Sequence, residues 1–109
     1  MTKIELIERL YELPKLIEDA ENAVINAHGQ VQDSKSILSE VEDVLLLSGS
    51  IDGKNVEIRN AQLRAQTSNE RQAIQKVENE LSVARIALNR LNNEQANCRA
   101  IAEMLEGVK

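Results

Sequence analysis

Apolar residues recur along this chain at alternating steps of three and four. From Leu6 the series runs Leu10, Leu13, Ile17, Ala20, Val24, Ala27, Val31, Ser34, Leu38, Val41 and Leu45, with Ser34 its one polar member. A second series takes Ile74, Val77, Leu81, Ala84, Leu88, Leu91, Gln95, Cys98, Ala102 and Leu105, with Gln95 its one polar member. A repeat averaging about 3.5 residues keeps one stripe facing a partner helix that winds around it, the signature of a coiled coil. Strands need alternation at period two, and none occurs.

Between the two series stands Ser48-Gly49-Ser50-Ile51-Asp52-Gly53. Gly49 suits the left-handed residue that ends a helix, and Asp52 or Ser50 can cap the next one. Thr2 and Glu5 have the spacing of a capping box at the start of the chain. Pro14 lacks the N–H that an i→i−4 ladder requires, so residues 1–13 are expected as a short segment, kinked or separate, before helix one. Helix one then covers 15–47, the turn 48–53 and helix two 54–106. So short a turn makes the helices antiparallel neighbours. The expected fold is all-α: one domain, a long antiparallel two-helix coiled-coil hairpin.

The second seam weakens between Ala65 and Gln72, where Thr67 and Glu70 fall on core positions. Folding about the turn sets Thr67 near Ser34. Two readings stay open: a polar layer that fixes register, or a local loosening. On one flank, Arg64, Arg71, Arg85 and Arg99 share an edge of helix two with Glu78, and helix one presents Glu21, His28, Lys35 and Glu42. Antiparallel packing predicts Glu42 with Arg64, His28 with Glu78 and Glu21 with Arg85, leaving Lys35 mismatched against Arg71. The other flank is apolar: Leu16, Ala23, Ile37 and Val44 on helix one, and Ala73, Ala87 and Ile101 on helix two. Two helices cannot bury both the seam and this edge. A homo-oligomer is therefore expected, as a four-helix-bundle dimer or something larger.

Composition agrees with long helices. The 109 residues include one Tyr, no Phe or Trp, one Pro and four Gly, and 28% are charged. A net charge of −5 argues against a general binder of nucleic acid or anionic membrane. One cysteine excludes an internal disulfide and fits a reducing compartment. The first 47 residues carry ten acidic and four basic side chains, net −6. That acidic face is either simply solvated or engages a basic partner. The longest wholly apolar run, Val44–Leu47, is far too short for a membrane span. The N-terminus lacks the apolar stretch of a secretory signal. The expected location is the cytoplasm of a bacterial host cell, without membrane contact.

No catalytic set is apparent. The turn Gly49–Asn55 approximates a phosphate-binding loop, but it is one residue short, ends in Asn and follows a helix. His28 lacks a carboxylate three residues before it, and one His with one Cys falls short of a zinc set. Cys98 lies in the seam, where a thiol acts as a small hydrophobe. The sequence points to no enzyme, cofactor or metal. Lys54, Asn55, Arg59, Arg64 and Arg71 gather near the turn and form the candidate ligand-binding or partner-binding set. Arginines offer a bidentate fork to phosphate, yet no aromatic accompanies them for base stacking. They are read either as pairing across the hairpin or as contacting nucleic acid or a nucleotide.

The run Leu45–Asn55, followed by Arg59, Ala61, Gln62 and Leu63, resembles small phage-encoded helical-hairpin proteins with a Gly-Lys-Asn turn, then Arg-x-Ala-Gln-Leu and a coiled coil. The resemblance covers about residues 45–105 and implies a phage or prophage source. It makes Gly53, Lys54, Asn55, Arg59 and Gln62 the positions of interest, and implies recombination, particle assembly or inhibition of host defence as the setting. The expected function is a non-enzymatic, self-associating accessory that inhibits or adapts a host or phage protein. The alternatives are an anion binder working through the basic turn and a purely structural spacer.

Overall fold

In the computed structural model, which describes residues 1–107, the chain is all-helical. Helix α1 spans Lys3–Leu47, α2 Val56–Gln66 and α3 Ser68–Gly107. The capping box forms as its spacing predicts: Glu5 N–H donates to Thr2 Oγ1 at 3.1 Å, and Thr2 N–H to Glu5 Oε2 at 3.3 Å. Gly49 ends α1 with φ +76°, the left-handed conformation expected of it.

Three boundaries differ from expectation. The first thirteen residues do not form a separate helix, because α1 continues through Pro14. A proline inside a helix costs about 3 kcal/mol. The adjacent Leu13 is fully buried with Leu6 and Cys98, which returns roughly 1.5–3 kcal/mol. Second, the expected helix two is divided at Thr67, whose φ of −114° and ψ of 22° leave the helical range. The Thr67 hydroxyl donates to the Leu63 carbonyl at 2.6 Å, a back-bond that competes with the backbone ladder and bends helices. Third, the turn runs on to Asn55. Asn55, and neither Ser50 nor Asp52, caps α2 by accepting from Ile58 N–H at 2.9 Å.

Packing divides the chain into two units, one formed by Met1–Asn26 with the chain from Ser82 onward, the other by Ala27–Leu81. In the first unit Leu6, Leu13 and Cys98 make the core, and Leu10, Ile17, Leu91 and Ala102 pack against it. Leu6 and Leu10 share a cleft with Ala102 and Leu105, so the start of α1 lies against the end of α3 and the helices are antiparallel there. In the second unit Ala27, Val31, Ile51 and Leu81 are buried, and so is Thr67. Every seam position of both series is buried or half-buried except Leu105. The hydrophobic period alone therefore located the packed stripe.

Candidate functional site

The turn is tied to α2 by side-chain amides. Gly53 N–H donates to Gln62 Oε1 at 3.0 Å, Gln62 Nε2 donates to Asp52 Oδ1 at 2.8 Å, and Gln66 Nε2 donates to the Ser50 carbonyl at 3.4 Å. Gly53 is needed for close approach: a Cβ there would stand 2.6 Å from Ile58 Cγ2 and 3.0 Å from Arg59 N. Three positions of the Gly-Lys-Asn…Arg-x-Ala-Gln-Leu pattern, Gly53, Asn55 and Gln62, thus build and cap the turn. The two cations of that pattern, Lys54 and Arg59, are exposed.

The basic set is not brought together as one site. Arg59 and Arg64, five residues apart on α2, point about 140° from each other around the helix axis. Lys54, Arg59 and Arg64 make no ion pair among the described residues. Arg71 is engaged: its Nε donates to Thr67 Oγ1 at 3.0 Å, and Nη2 stands 3.7 Å from Glu42 Oε1. A polar chain therefore runs from the Leu63 carbonyl through the Thr67 hydroxyl and the Arg71 guanidinium to Glu42 on α1. Thr67 is fully buried with both hydrogen-bonding roles satisfied, so the break in the seam is an organised polar knot.

The predicted ion-pair edge is present, but its partners lie one heptad further along. Glu42 meets Arg71 and not Arg64, and Lys35 meets Glu78 at 3.8 Å in place of the expected mismatch with Arg71. His28 is exposed, its expected partner Glu78 being taken by Lys35, and Glu21 with Arg85 is not among the ion pairs of the described residues. The opposition of Ser34 and Thr67 fails for the same reason. Ser34 lines a cleft with Ile37, Asn69, Glu70 and Ala73, whereas Arg71 ties Thr67 to the level of Glu42, about two turns away along α1.

The shortest ion pair lies where no partner was expected. Arg9 Nε and Nη2 donate to the two carboxylate oxygens of Glu94 at 2.6 and 2.9 Å, and Nη1 donates to Glu12 at 3.1 Å. The fork-to-fork geometry is the strong form of such a bond. The hydrogen bonds that Arg9 donates hold the Glu94 carboxyl below its ordinary range, and Glu94 and Glu12, by accepting them, raise the pKa of the guanidinium. The signal was legible: Arg9 stands seven residues before Leu16, and Glu94 seven after Ala87, so the pair continues the apolar edge of the first unit.

That edge remains uncovered. In the first unit Leu16, Ala23, Ala87 and Ile101 are exposed, and in the second Ile37, Val44 and Ala73. Val44 keeps 64% of its surface open. Cys98 is buried in the core as its seam position predicts. Among the described residues, no group of three or more His, Cys, Asp or Glu could hold a metal ion, and no helix is long and apolar enough to cross a membrane. The chain matches no protein-family model, no curated protein and no solved structure.

Proposed function

We propose that this protein is a non-enzymatic helical interaction module that acts by protein–protein contact through its apolar edge. The exposure of Leu16 and Ala23 in one unit, and of Ile37 and Val44 in the other, carries this reading. Aliphatic side chains at heptad spacing outside the seam gain free energy only when another surface covers them. The basic turn supports the anion-binding alternative less well. Asn55 is occupied as a helix cap, Arg71 is held by Thr67 and Glu42, and Arg59 and Arg64 diverge around α2. The likeness of the turn to phage-encoded hairpin proteins makes a phage or bacterial host protein the partner to test first.

The test is capture of partners from bacterial lysate by the tagged chain and by a Leu16→Glu, Ile37→Glu variant, with nuclease and at high salt. A stoichiometric protein partner that survives both treatments and is lost with the variant supports the reading. Partners that vanish with nuclease or salt, in proportion to phosphate contacts, transfer the function to Lys54, Arg59 and Arg64.

A further inference from the structure

Each apolar-edge residue has a neighbour three positions on, on the side away from the seam, since i and i+3 share a helix face. On α1 these neighbours include Asp19 after Leu16 and Glu40 after Ile37, and the same heptad row holds Glu5, Glu12 and Asp33. On α3 they are Lys76 after Ala73, Arg90 after Ala87 and Met104 after Ile101. The edge is thus bordered by an acidic row on α1 and by a neutral row with two cations on α3. Asp33, Lys76 and Arg90 are exposed and make no ion pair among the described residues, while Asp19 holds Lys15 at 3.0 Å.

The levels of these charges match within each unit. In the first, Leu6 shares a cleft with Ala102, and thirteen residues along each antiparallel helix bring Asp19 level with Asn89, beside Arg90. In the second, Ser34 shares a cleft with Ala73, which brings Asp33 within a turn of Lys76.

We infer that the occupant of the apolar edge is a second copy of this chain, docked edge to edge so that α1 of one copy lies against α3 of the other. Asp33 then faces the second copy's Lys76, and Asp19 its Arg90. Two-fold symmetry allows one other edge-to-edge arrangement, α1 on α1, and that sets the two acidic rows against each other. Like charges in register disfavour it. The inference rests on the interaction reading above and gives the edge to a second copy in place of a phage or host protein.

The experiment is sedimentation equilibrium of the full chain with Asp33→Lys, Lys76→Asp, both together, and Ile37→Glu, each variant checked for helicity by circular dichroism. The sign of the Asp33→Lys effect decides the matter. It changes the net charge from −5 to −3, so relief of overall repulsion, or of α1 against α1, strengthens association. Pairing with Lys76 of the second copy predicts the opposite: each single reversal weakens the dimer about tenfold, and the double reversal restores it. Tighter association of Asp33→Lys, or dimers that only Ile37→Glu disrupts, overturns the arrangement. A wild-type chain that is monomeric throughout overturns the second copy as occupant, while the interaction reading is judged separately by the captured partner and its loss with the edge variant.

Discussion

The two packing units solve the same problem by different means. The first closes around hydrocarbon and a thiol, with Leu6, Leu13 and Cys98 buried together and a two-pronged Arg9–Glu94 bond on its flank. The second buries Ala27, Val31, Ile51 and Leu81, and gives one core position to Thr67. Its ion pairs to Glu42 and from Lys35 are long, at 3.7 and 3.8 Å. Apolar burial is non-directional and large, so it carries stability without choosing a geometry. A buried hydroxyl with two partners adds little net energy but tolerates few arrangements, since leaving either partner unmet is costly. The first unit is built to hold the helices together. The second is built to define how they meet near the turn.

Mutations can break this contrast, beginning with the strongest. Leu13→Ala empties a fully buried site and is expected to cost about 2–5 kcal/mol in urea unfolding. Gly53→Ala forces a Cβ against Ile58 and the Arg59 backbone, with an expected cost of about 1–3 kcal/mol. Thr67→Val removes the acceptor for Arg71 Nε and should cost about 1–2 kcal/mol. Thr67→Ser, which keeps the hydroxyl, should recover most of the loss. If Thr67→Val proves as damaging as Leu13→Ala, the division of labour between the units is wrong.

The smallest effect is on pH dependence. Arg9 lowers the carboxyl of Glu94 from its ordinary value of 4.5 in the folded chain. The pair therefore contributes stability that is present above that value and lost as pH falls through the depressed one. Acid titration of thermal stability should show wild type losing more than Glu94→Gln on passing below about pH 4.5. Equal losses would mean that the pair adds nothing measurable, as exposed ion pairs often do.

How far the chain could be read depends on the range of the interaction involved. Local features were legible: the seam, the Thr2–Glu5 box, the left-handed Gly49 and the buried Cys98 each depend on neighbours within a turn or two. The ion-pair edge was legible in composition and misplaced in register. Glu42 and Arg71 both belong to the expected edge, but the turn runs on to Asn55, and the facing positions lie one heptad further from it than a 48–53 turn predicts. Arg9 and Glu94 are polar members of an otherwise apolar edge, and hydrophobic periodicity does not register which polar residues meet across the helices.

The sequence by itself determined that the chain is helical, where its stripe lies and which aliphatic residues are left over. The α-helical period and the backbone hydrogen bonds that enforce it are properties of the chain alone. Only the tertiary structure decided that α1 continues through Pro14, that the second helix breaks at Thr67 and that Asn55 is the cap. It also decided which charges meet. Those outcomes depend on how two helices are rotated and offset against each other, on the burial of Leu13 in the core, which offsets part of the cost of Pro14, and on the hydrogen bonds that Thr67 makes to Leu63 and Arg71.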